Sequence, residues 1–208
     1  MTELGIDLAT YKERFRQEAS ARQIPSDKVE AFLAGMRPRV ALRREANDGG
    51  VVFRYGGLPR LPAEITWNSN LYFLGALDCA AIPRGELDLP YPESGELLFF
   101  WDNDFFWDGE STRHQVIHVA DPSAAEERQP PTEHVVVHER IDYFAVPEVA
   151  LPWDTAFYED VDFGGIEDIH RAVEKTWEQV WADFALGGYP NSEEIPERTI
   201  AQEWGELQ

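Results

Sequence analysis

The chain has 208 residues, a formal net charge of −21, 43% hydrophobic and 12% aromatic residues, and one cysteine, Cys79. That length suits one globular unit with a real core. The charge disfavours nucleic-acid phosphates, and a single thiol excludes an internal disulfide and fits a reducing cytoplasm. No apolar run approaches the roughly 20 residues of a membrane span. The start, MTELGIDLATYKERFRQ, lacks the basic and apolar regions of a signal peptide. Through Arg60 there are eleven Lys/Arg against eight Asp/Glu; from Leu61 onward there are seven against thirty-one. An acidic body of this kind favours a basic protein partner or divalent cations over membranes and nucleic acids.

In chain order, residues 6–22 predict a helix, with Leu8, Tyr11, Phe15 and Ala19 at spacings of three and four and Asp7 in its opening turn. Ser26 starts a second short helix carrying Val29, Phe32 and Leu33 and ending near Gly35. Residues 39–43 alternate as a half-buried strand should, and a turn at 47–50 leads into a strand at 51–55. GGLPRLP at 56–62 is a loop stiffened by Pro59 and Pro62. The apolar runs LYFLGAL at 71–77 and GELLFFW at 95–101 are two core strands, pinned by Pro and Gly on each side.

Two alternating strands are expected at 114–119 and 134–138, joined by a long Pro-containing connection. Residues 147–165 predict irregular chain. Ile166 to Phe184 predicts a long amphipathic helix, with Ile169, Val173, Trp177, Val180 and Trp181 on its stripe and Gly187 and Gly188 ending it. The fold class is α+β: a mainly antiparallel sheet with N-terminal helices and one long C-terminal amphipathic helix. The expected organisation is an N-terminal helical cap at 1–36, an α+β domain at 37–190 and a loose acidic tail at 191–208.

The order GG-x-P-x-LP, a nearby Trp, FL-x-A-L-D, then a G-x-L-x-FF element resembles the YwqG-like family of bacterial proteins of unknown function. The matching residues include Gly56, Gly57, Pro59, Leu61, Pro62, Trp67, Phe73, Leu74, Ala76, Asp78, Pro83, Gly95, Leu97, Phe99 and Phe100. A second anchor, LGGYP at 186–190, is similar to that family's H-x-LGGYP element, with Phe184 standing at the His position. The resemblance covers roughly residues 38–196 and implies a short or C-terminally truncated member. Most of these residues are Gly, Pro and apolar, as turns and core require.

Three constellations could carry chemistry. His114/His118 and His134/His138 each recur at i, i+4. On strands such pairs share a face but stand about 13 Å apart at ~3.3 Å per residue, so a metal site needs the two strands to pair and Glu139 or Asp142 to join. The alternative is that they line the wetter face of a hairpin. Asp102, Asp104 and Asp108 with Trp101, Phe105, Phe106 and Trp107 form an acidic, aromatic loop, as in many protein-binding surfaces. It lacks the order of an EF-hand calcium loop. Glu159, Asp160 and Asp162 form a second acidic group. Cys79 has no basic neighbour in sequence and reads as core.

No nucleophile elbow, phosphate loop or dinucleotide fingerprint is present. The expectation is therefore a cytoplasmic, non-enzymatic interaction protein with an acidic surface and no required cofactor. A metal-binding protein or metal-dependent hydrolase built on the strand histidines is the alternative.

Overall fold

The computed structural model describes residues 3–45, 47–83, 87, 90–101, 114–150, 165–178 and 184–187. The described elements are β1 (Glu3–Leu4), α1 (Leu8–Ala21), α2 (Ser26–Ala34), β2 (Arg37–Arg43), β3 (Val51–Tyr55), β4 (Arg60–Leu61), β5 (Tyr72–Asp78), β6 (Glu96–Trp101), β7 (His114–Val119), β8 (Glu126–Glu127), β9 (Ile141–Ala150), α3 (Ile166–Glu174), β10 (Trp177–Glu178) and β11 (Phe184–Gly187). The fold is α+β on antiparallel sheet. The chain divides into two compact units, and both β2 and β9 run across the division.

The first unit takes residues 1–41, 84–88 and 146–208. Asp7 caps α1 by accepting from the Thr10 backbone N–H at 2.8 Å, which satisfies one of the orphan donors at the helix start. The Thr10 hydroxyl donates to the same carboxyl, and these bonds hold Asp7 below the usual carboxylate range. Helix α1 ends where Gln23 takes φ 58°, letting the Ile24 N–H reach the Ala19 carbonyl at 3.0 Å. Tyr11, Phe15 and Ala19 of α1, Val29, Phe32 and Leu33 of α2, and Ile166, Ile169 and Val173 of α3 close one core cluster. Strands β11, β2 and the second half of β9 are sheet neighbours in this unit, and β1 pairs with β10 in parallel.

The second unit takes residues 42–83 and 89–145. Here the first half of β9, then β3, β5, β6 and β7, form a sheet in that order, each pairing antiparallel. The β5–β6 register shifts between Phe73 and Gly75. Gly75 is required there: a Cβ would fall 2.4 Å from the Arg54 carbonyl oxygen and 2.5 Å from the Phe53 ring. The bulge turns Phe73 and Ala76, three residues apart, toward one face, opposite Phe100 and Leu98. That face joins a core of Leu61, Trp67, Leu71, Phe73, Leu98, Phe100 and Val119. Trp67 meets Phe100 edge-on at 5.9 Å and donates its indole N–H to the Leu71 carbonyl at 2.8 Å.

Four expectations are corrected. The helix starting at Ile166 ends at Glu174, and Phe184 belongs to β11. Both the backbone N–H and the hydroxyl of Thr176 donate to the Val173 carbonyl, at 2.9 and 2.7 Å, and such a local bond competes with helical continuation. Residues 134–138 form no strand. Val135 is buried, but Val136 and Val137 are both exposed, which breaks the period of two. The chain instead becomes a ten-residue strand, β9, running through Pro147 into the stretch expected to be irregular. Finally, β2 is not half-buried: Val40 through Arg43 are all buried.

Candidate functional site

The second unit holds a cleft of about 240 Å³ lined by Arg54, Gly56, Gly57, Leu58, Arg60, Phe73, Ala76, Glu96, Glu127 and Arg140. Its floor follows from the sheet. The β5 bulge brings Phe73 and Ala76 to the cleft side. Arg54 pairs with Ala76 across β3–β5 and lies next to Asp142 across β3–β9. The Arg54 guanidinium donates to the Glu96 carboxylate, whose side chain is 9% exposed against 28% for Arg54.

One wall is the GGLPRLP loop. Gly56 and Gly57 have φ 67° and 71°. A Cβ on Gly56 would sit 2.4 Å from the Glu139 carbonyl oxygen, so only glycine lets this turn lie so close to the chain opposite. The amides of both glycines are already used, Gly56 by the Leu74 carbonyl and Gly57 by the His138 carbonyl, each at 2.9 Å. Neither glycine N–H is therefore open to a ligand. Leu61 is fully buried. Because side chains alternate along a strand, Arg60 turns the other way, to the cleft.

The charges of the cleft divide into two classes. Arg54 is paired with Glu96, and Arg140 donates twice to Asp142, at 2.8 and 3.2 Å. That hydrogen bond holds the Arg140 guanidinium above its ordinary pKa. Arg60 and Glu127 are direct partners across β4–β8, yet among the described residues they form no ion pair with each other or with any other group. Arg60 instead donates to the Ala125 carbonyl at 3.2 Å, leaning along β8 away from Glu127.

The histidines are not brought together as expected. His114 and His118 lie on β7, whose strand neighbour is β6. His114 stacks on Trp101 at 5.9 Å, and an imidazole nitrogen of His118 lies 2.9 Å from the Ser94 carbonyl oxygen. His134 and His138 sit in the irregular segment before β9. The His134 carbonyl accepts from the Tyr72 hydroxyl at 3.2 Å, and the His138 ring packs on Tyr55 at 5.5 Å. Among the described residues no three His, Cys, Asp or Glu side chains cluster closely enough to hold a metal ion. Trp101 closes β6 at 37% exposure. Asp102, Asp104, Phe105, Phe106, Trp107 and Asp108, and the group at Glu159, Asp160 and Asp162, lie outside the described residues. Cys79 is fully buried.

Two constellations escaped the sequence reading. The cleft collects residues from five separate stretches; those within the GGLPRLP and FLGALD motifs were read as turn and core. In the first unit, the Tyr11 hydroxyl lies 2.7 Å from Nδ1 of His170, and Nε2 of His170 lies 3.4 Å from the Glu174 carboxylate. Burial, and next the Glu174 charge, push the Tyr11 phenol well above its usual pKa. With Tyr11 fully buried, this chain ties α1 to α3.

A family model described as a domain of unknown function (DUF1963) matches residues 54–206. The chain belongs to this family. The DUF1963 match opens at Arg54 and so contains every cleft residue, whereas α1, α2 and β2 precede it. No curated protein and no solved structure matches the chain. Among the described residues no helix is long and apolar enough to cross a membrane.

Proposed function

We propose that this chain is a non-enzymatic binding protein whose acidic body engages a basic protein partner. The observation that carries the reading is the charge distribution: thirty-one acidic against seven basic residues from Leu61 onward, within a net charge of −21. A field of that sign speeds encounter with a cationic surface and repels phosphate backbones. We read the matched domain as YwqG-like, on the ordered GGLPRLP, FLGALD and LGGYP elements, and place it in the cytoplasm, in keeping with its one buried thiol.

The test is native capture with the full chain as bait, followed by titration of the captured partner across ionic strength. The expected partner is basic, binds saturably, and weakens steeply as salt shortens the Debye length from about 10 Å at 0.1 M. Failure to recover any saturable partner, or an affinity indifferent to salt, overturns the reading.

A further inference from the structure

Independently of the partner reading, we infer that the cleft beside β4 is a binding site for a small zwitterion of the α-amino-acid type. Its charges carry the inference. Two of its three guanidinium groups are already neutralised, Arg54 by Glu96 and Arg140 by Asp142. Among the described residues, what remains without an ion-pair partner is one cation and one anion, Arg60 and Glu127, set side by side across a two-stranded ladder. Residues directly opposite in such a pair have Cβ atoms roughly 4.5–5.5 Å apart, close enough to meet in an ion pair. Instead, Arg60 leans to the Ala125 carbonyl. A lone anion would face the repulsion of Glu127, and a lone cation that of Arg60. A molecule bearing both a carboxylate and an ammonium group satisfies both, the carboxylate on the planar guanidinium fork and the ammonium on the carboxylate.

Size narrows the class further. About 240 Å³ falls below the roughly 300–1,000 Å³ of sites for drug-sized ligands, which suits a small ligand. Half-buried Leu58 supplies an apolar contact for a short side chain, beside the buried Phe73 and Ala76. The glycine amides of the loop are occupied, which removes the backbone nest that phosphate sites employ and leaves recognition to the charged pair.

The experiment is a thermal-shift and calorimetric titration of the full chain with L-alanine and glycylglycine, alongside acetate, methylammonium and inorganic phosphate. The same titrations are run on Arg60→Gln and Glu127→Gln, both exposed positions, each read against its own unliganded melting temperature. The expected result is saturable stabilisation by L-alanine or glycylglycine, at least about tenfold weaker binding of the three probes that carry charge of one sign only, and a comparable loss in each variant. Phosphate or acetate binding as tightly as L-alanine would show a plain anion site and overturn the proposal. So would the absence of any saturable response to either zwitterion, or a response that survives both substitutions.

Discussion

Replacing Tyr11 by Phe removes one hydroxyl and keeps the ring. The ring is fully buried and stacks with Phe15 at 5.9 Å, so packing is retained and the change removes the 2.7 Å contact with His170. Losing one partner of a buried hydrogen bond costs about 1–3 kcal/mol, because the remaining group keeps its desolvation penalty. A mid-range loss of about 2 kcal/mol would lower the melting temperature by roughly 4–8 °C in a chain of this size. Urea unfolding of wild type, Tyr11→Phe, His170→Leu and the double variant closes a cycle, with an expected coupling of about 0.5–3 kcal/mol. Burial raises the folded-state pKa of Tyr11, so its contribution is complete below the unfolded value near 10. Above that pH the unfolded chain ionises first, and wild type loses up to about 1.4 kcal/mol per pH unit that Tyr11→Phe does not. If the Phe variant lies within about 0.3 kcal/mol of wild type, adds independently to His170→Leu and shares its alkaline slope, the hydrogen bond does not hold α1 to α3.

Other outcomes follow from single contacts. Gly75→Ala forces a methyl into the Arg54 carbonyl and the Phe53 ring and should cost about 1–3 kcal/mol; equal stability in denaturant would remove the bulge argument. Arg54→Met strands the nearly buried Glu96 and should destabilise more than Glu96→Gln, whose partner Arg54 still reaches water; the reverse order in melting temperature would refute this. Burial first, and then Cys79, push Tyr91 up to about 12. Tyr91→Phe should therefore abolish one proton's worth of stability loss between about pH 10 and pH 12, and an unchanged profile would contradict it. Cys79, fully buried, should react with a thiol reagent at the rate of unfolding, and rapid labelling of the native chain would disprove its placement.

The strands around 71–78 and 96–101 were legible because short aromatic runs between Pro and Gly have few other uses. The helix from Ile166 was legible at its start and overdrawn at its end. The apolar stripe continues through Trp177 and Trp181, but periodicity does not register that Thr176 bonds back to the Val173 carbonyl. The triple valine at 135–137 mimicked a strand, while the longer β9 was hidden by Pro147, whose carbonyl accepts from Ile6. The cleft was not legible, since its open charges are defined by which arginines are paired across strands, a property of register and not of spacing. The His170 contact with Tyr11 was not legible because the two stand 159 residues apart.

That separation bears on how the chain is made. Helices α1 and α2 leave the ribosome early, with Tyr11, Phe15, Phe32 and Leu33 facing outward, and their partners Ile166, Ile169 and Val173 arrive roughly 7–25 s later at ~5–20 residues per second. The first unit is thus a high-contact-order structure whose halves bracket the second, and its closure is expected to be the slow event. A fragment cut at the start of the family match, residue 54, would emerge without its own helical half and leave the apolar face of α3 uncovered.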